Sequence, residues 1–151
     1  ITIVDTFRKK DRSNSVQDGM DITICAFDRV SRSIEIAAAN NRAYIIGSNG
    51  LTEVKGDHFS IGSAEEKRSF INQAHQVKKG DTIYLFSDGF ASQFGGESGK
   101  KLKYSRMKEM FLKYSHLNMK EQQNVLQREM ETWKGGLEQI DDILVMGIRI
   151  A

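Results

Sequence analysis

The sequence predicts an α+β domain, an antiparallel sheet with helices packed on it. Three observations lead there. Short runs rich in β-branched and aromatic residues, each bounded by turn residues, fill the chain through Phe86. Two stretches with apolar residues at helical spacing follow. One nearly continuous apolar run then closes the chain.

In order, residues 1–10 fit helix or strand and are too short to choose between them. The chain begins at Ile1 without a cap signal, so this segment reads as the tail of an element begun upstream. Asp11–Asp18 is polar and turn-like. Met20–Asp28 and Ser33–Ala39 read as strands joined by Arg29-Val30-Ser31-Arg32. Ala43–Gly47 and Leu51–Val54 are the next two, joined by Ser48-Asn49-Gly50. Asn-Gly between apolar runs is a strong hairpin signal. Residues 55–67 read mostly as loop. Phe70–Val77 is a further strand, and Lys78-Lys79-Gly80-Asp81 turns the chain into the buried run Thr82–Phe86.

After Gly96 the period changes. Met107, Met110, Phe111 and Tyr114 line one helix face. Asn118-Met119-Lys120-Glu121 has the capping-box pattern, and Met119, Leu126, Met130 and Trp133 stripe the helix behind it as core residues. Gly135-Gly136 stops that helix. Asp141-Asp142 opens the last strand, Ile143–Ile150, with Leu144, Met146, Ile148 and Ile150 on one face.

A chain of 151 residues can bury a real core, and 39% apolar with 28% charged residues suits a soluble globular protein. The net charge of +2, from 22 basic and 20 acidic residues, is too balanced for nucleic acid or an anionic membrane surface as partner. The apolar runs are strand-sized, so no membrane-inserted segment is expected, and the start has no signal-peptide pattern. The lone Cys25 excludes an intrachain disulfide. It reads as a small buried hydrophobe in a reducing compartment, the cytoplasm.

The chemistry centres on two acids. Asp88 ends the Thr82–Phe86 strand and is followed by Gly89. A strand fixes an acid's position, and glycine lets backbone or ligand approach closely. Asp141 begins the last strand. If the two strands are antiparallel neighbours, both carboxylates reach one edge of the sheet, where they repel unless one is protonated or a cation lies between them. Such hard oxygen donors suit Mg²⁺ or Mn²⁺. The same residues also suit plain turns, with Asp141 or Asp142 as a cap. Elsewhere, Phe94–Lys101 hints at a phosphate loop but fails the Walker spacing, and reads as a solvated loop that could border a substrate entrance. Lys100, Lys101 and Lys103 suit either solvated surface or attraction of a phosphorylated partner. His58, His75 and His116 have no ligand spacing.

Taken together, Gly80-Asp81, Ile83–Phe86, Ser87-Asp88-Gly89 and the closing Asp141-Asp142-Ile143-Leu144 resemble the PPM family of metal-dependent protein serine/threonine phosphatases, in its SpoIIE-like bacterial branch. Asp18-Gly19-Met20-Asp21, the hairpin Ile22–Ile46, Ala37-Ala38-Ala39-Asn40 and Ser60-Ile61-Gly62 are similar to that branch's middle strands. The resemblance implies an α-β-β-α phosphatase sandwich of which residues 1–151 form a single partial domain, the C-terminal part. It implies two Mn²⁺ or Mg²⁺ ions in the complete domain and metal-activated water that hydrolyses phosphoserine or phosphothreonine. No catalytic residue beyond the metal ligands is expected. Asp88 and Asp141 would be ligands, with Gly89 and Asp142 in the outer shell. The early acidic ligand and the Asp-x-x-Gly-His-Gly segment of the family do not occur in this sequence. Ser92 stands where relatives often carry an acid, which argues against a third metal, and Leu144 replaces a usual Thr.

The chain alone is therefore expected to be inactive, and to expose an apolar sheet face open to homodimerisation or aggregation. The partners implied are a phosphorylated protein such as an anti-sigma-factor antagonist and an upstream sensor or receiver domain. Two alternatives stand beside this reading. One is a non-catalytic phosphatase-like partner-binding module. The other is an unrelated α+β interaction domain whose acids are turn residues.

Overall fold

Turn residues and apolar alternation set out the elements of the computed structural model, which describes residues 19–62 and 69–151. The expectations for residues 1–10, for Asp11–Asp18 and for 63–67 lie outside the described residues. In chain order the elements are β1 (Ile22–Asp28), β2 (Ser33–Ala39), β3 (Arg42–Gly47), β4 (Gly50–Lys55), β5 (Gln73–Gln76), β6 (Thr82–Phe86), α1 (Gly89–Ser92), β7 (Phe94–Gly95), β8 (Lys100–Lys101), α2 (Lys103–Tyr114), α3 (Met119–Lys134) and β9 (Val145–Arg149). The α+β class expected from the sequence is the one observed. Two units divide the chain, 19–42 with 54–76 and 43–53 with 77–151.

The first unit is an antiparallel sheet in the order β1-β2-β5. Asp28 closes the β1–β2 loop by accepting the N–H groups of Val30 at 2.8 Å and Ser31 at 3.3 Å. β1 pairs along its whole length, from Ile22 opposite Ala39 to Asp28 opposite Ser33. β5 is shorter than the expected Phe70–Val77. It pairs only with Ser33–Ile36, because the far half of that edge is taken. Asp57 donates its N–H to the Ala38 carbonyl at 2.9 Å and accepts that of Asn40 at 2.7 Å. Cys25 is half-buried rather than fully buried, and desolvation pushes its thiol up, away from reactivity.

The second unit holds the sheet β4-β3-β6-β9. β6 lies between β3, with Tyr44 opposite Tyr84, and β9, with Phe86 opposite Val145. Both pairings are antiparallel. Tyr44, Ile46, Tyr84 and Phe86 form one core with Phe90, Met107, Met110, Phe111, Leu126 and Met130. Phe111 is its hub: its ring stacks on Tyr84 at 4.4 Å and meets Tyr44, Phe86 and Phe90 at 6.0–6.1 Å.

The polar ends are satisfied as well. Asn118 accepts the Glu121 N–H at 2.9 Å while Glu121 accepts that of Asn118 at 3.1 Å, which is the expected capping box. The chain leaves α3 through Gly135 at φ +55°, a left-handed step that glycine takes without strain. Arg149 donates to the carbonyls of Ser115 at 2.6 Å and Leu117 at 2.9 Å, closing the end of α2. Among the described residues no helix is long and apolar enough to cross a membrane.

Candidate metal centre

β6 is buried along most of its length, so the residue that follows its last ladder pair has a fixed starting point. Ser87 uses that point twice. Its backbone N–H donates to the Leu144 carbonyl at 3.1 Å. Its hydroxyl donates to the Asp142 carbonyl at 2.6 Å and accepts the Leu144 N–H at 2.9 Å. A side chain thus replaces part of the ladder. For this reason β9 starts at Val145 and not at the expected Ile143.

This splice brings the segments of Asp88 and Asp141 side by side. Gly89 lies so near that a Cβ there would stand 2.4 Å from the Asp142 carbonyl oxygen and 3.3 Å from the Asp141 carbonyl carbon. The antiparallel β6–β9 pairing that the sequence reading required is present. Asp88, Asp141 and Asp142 are all exposed. Asp88 opens the single turn of α1 but its side chain makes no cap bond. Asp141 does serve its own turn, since its Oδ1 accepts the Asp142 N–H at 2.8 Å. Gln139 braces the same turn by donating to the Asp141 carbonyl at 2.8 Å.

Carboxylates at two spliced segments are hard oxygen donors, a set that fits Mg²⁺ or Mn²⁺ with several waters retained. Among the described residues no three acids, histidines or cysteines gather to hold an ion. The other candidates lie apart from this pair in role. Asp81 accepts the Lys78 N–H at 2.8 Å and so shapes its own turn. Ser92 is half-buried in α1. The expected solvated loop at Phe94–Lys101 is instead a hairpin of β7 and β8. Gly95 packs under Trp133, where a Cβ would stand 1.9 Å from the carbonyl oxygen. Lys100 and Lys101 are exposed on that hairpin, with the Lys101 ammonium 5.8 Å from the Phe94 ring centroid.

Sequence reasoning missed Gln93. It is 0% exposed. Its Nε2 donates to the Glu138 carbonyl at 2.9 Å and the Phe94 carbonyl at 3.0 Å. Both partners can only accept, which fixes the amide's orientation. Its Oε1 is left buried with no partner, at a cost of about 1–3 kcal/mol. Its backbone carbonyl accepts from Trp133 Nε1 at 3.0 Å and from the Leu102 N–H at 2.9 Å. A lone glutamine between the helical turn of Phe90 and the short strand of Phe94 has no spacing that flags it.

Residues 4–151 match the sequence profile of the SpoIIE family, described as Stage II sporulation protein E. No curated protein matches the chain. Among solved structures, the chain is similar to the SiaA-PP2C domain of Pseudomonas aeruginosa, with 27% identity and a TM-score of 0.82 over 88% of this chain and 52% of that one. It is also similar to the phosphatase domain of the cell fate determinant SpoIIE from Bacillus subtilis, presoaked with Mn, at 19% identity and TM-score 0.62, covering 86% of this chain and 56% of that one. RsbX in complex with magnesium matches at 11% identity and TM-score 0.60, covering 85% and 55%. The last two likenesses concern the fold alone. The chain spans about half the length of these solved structures.

Proposed function

Since the chain belongs to the SpoIIE family of PPM-type phosphatases, we propose that it supplies the later metal-binding acids of a phosphoserine/phosphothreonine phosphatase domain. The observation that carries this reading is the splice through Ser87, which sets the segments of Asp88 and Asp141 against each other. In this reading Asp88 and Asp141 hold a divalent ion, Mn²⁺ or Mg²⁺. Gly89 gives the two segments room to touch, and Asp142 stands behind as an outer residue. When bound, the ions of the complete domain supply water activation and neutralise phosphate charge. The chain's own part is to hold two carboxylates at the ends of neighbouring strands, so that neither has to be reorganised during the reaction.

Residues 1–151 act as the C-terminal part of the domain and are inactive alone. The lack of the family's early acidic ligand and Asp-x-x-Gly-His-Gly segment in residues 1–151 supports this. The substrate class we favour is a phosphorylated signalling protein such as an anti-sigma-factor antagonist, met in the cytoplasm by a phosphatase domain placed behind a sensor or receiver domain.

The test uses the full-length gene product. Mn²⁺ should support phosphate release from a phosphoserine peptide, EDTA should abolish it, and Asp88→Asn or Asp141→Asn should each lower it by at least the roughly 10–100-fold that loss of an outer-shell partner costs. A second reading, a non-catalytic partner-binding module, is favoured by Ser92 and by the lack of any three-residue ligand group among the described residues. Full-length protein that takes up Mn²⁺ and binds a phosphopeptide without turning it over would establish that alternative.

A further inference from the structure

Beyond the two acids, we propose that Gln93 is a positioning residue for this metal centre, tying the loop that carries Asp141 to the turn that carries Asp88. The inference rests on the reading of Asp88 and Asp141 as metal ligands. From Asp88 the chain runs through the single turn of α1, where the Gln93 N–H donates to the Gly89 carbonyl at 3.0 Å. The Gln93 amide then crosses to the Glu138 carbonyl at 2.9 Å. Gln139, the next residue, clasps the Asp141 carbonyl at 2.8 Å. Asp141 holds the Asp142 N–H, and the Asp142 carbonyl receives the Ser87 hydroxyl. Ser87 precedes Asp88, so the hydrogen bonds close a ring that contains both acids. Gln93 is its only buried polar side chain.

The unpaired Oε1 separates this role from plain packing. A methionine fills the same space and removes the orphaned Oε1, but it takes the donor away from the Glu138 and Phe94 carbonyls. What it fails to do is hold Glu138. Positioning and packing therefore predict opposite outcomes for Gln93→Met. Packing alone predicts unchanged ion binding. Positioning predicts a looser Asp141 loop and weaker binding with the protein still folded.

The experiment is calorimetric titration of the full-length protein with MnCl₂, alongside thermal melts of the metal-free form. Gln93→Met should weaken Mn²⁺ binding about tenfold or more, the usual effect of losing an outer-shell partner, while phosphatase activity returns at high Mn²⁺. If Gln93→Met does not fold, Gln93→Asn, which keeps the amide but shortens its reach, should shift binding in the same direction. Wild-type uptake of Mn²⁺ with unchanged affinity in the folded variant overturns the role of Gln93 and leaves the phosphatase reading intact. Wild-type protein that takes up no Mn²⁺ overturns both.

Discussion

Tyr84 shows how much one side chain decides here. It stacks on Phe111, and its hydroxyl donates to the buried Gln122. The Gln122 amide in turn donates to the carbonyls of Ser115 at 3.2 Å and Leu117 at 2.9 Å. Burial pushes the Tyr84 phenol up to about 12, against the lowering pull of the Arg149 charge and the Gln122 hydrogen bond. An unfolded tyrosine loses its proton near 10. The stability that depends on this proton is thus whole below about pH 10 and is lost as pH rises through about 12. Urea unfolding across that window should give a falling stability for the wild type and a shallower fall for Tyr84→Phe. Equal slopes would mean that the phenol ionises in place. The acids proposed as metal ligands teach a different lesson at this scale. Asp88 and Asp141 could be picked from motif and strand-end position, whereas Gln93 could not, because its partners are carbonyls of residues that no local pattern marks.

Among the elements, α3 is the one whose sequence signals are most complete. Its cap and glycine stop are found where the pattern puts them, and of its apolar stripe Leu126 and Met130 are buried while Met119 and Trp133 are half-buried beside an unforeseen buried Gln122. Asn118→Ala should cost about 1 kcal/mol in chemical denaturation, the usual loss for such a cap, and a Gly at the same position much less. β6 was equally legible, since a short run of β-branched and aromatic residues between a Gly-Asp turn and Ser-Asp-Gly leaves little choice. β5 and β9 were not. Their lengths depend on distant groups, the Gly56–Asp57 backbone on the edge of β2 and the Ser87 hydroxyl at the mouth of β9. Nor does the turn at Lys78–Asp81 reveal that it passes from one sheet to another, because strand order is a non-local property.

For the whole chain, the telling feature is the outer face of β9. Leu144, Met146 and Ile148 alternate along it at 60%, 49% and 40% exposure, on the side that the sequence assigned to one apolar face. Such a row on an edge strand promotes association. Sedimentation velocity on the isolated chain should therefore show mass rising with concentration, and Met146→Lys combined with Ile148→Lys should reduce it. A single monomeric species at all concentrations would count against that expectation.

The contact beneath Gly89 has an evolutionary corollary. With the Asp142 carbonyl only 2.4 Å from where a methyl would go, even alanine must wedge the two strand ends apart. The damage would fall on the two segments that carry Asp88 and Asp141, and on Phe90 and Ala91 of the core beside them. On the proposed reading of Asp88 and Asp141 as metal ligands, a lineage that drifted to any larger residue at position 89 should lose cation binding, and glycine there should mark the chains that keep it.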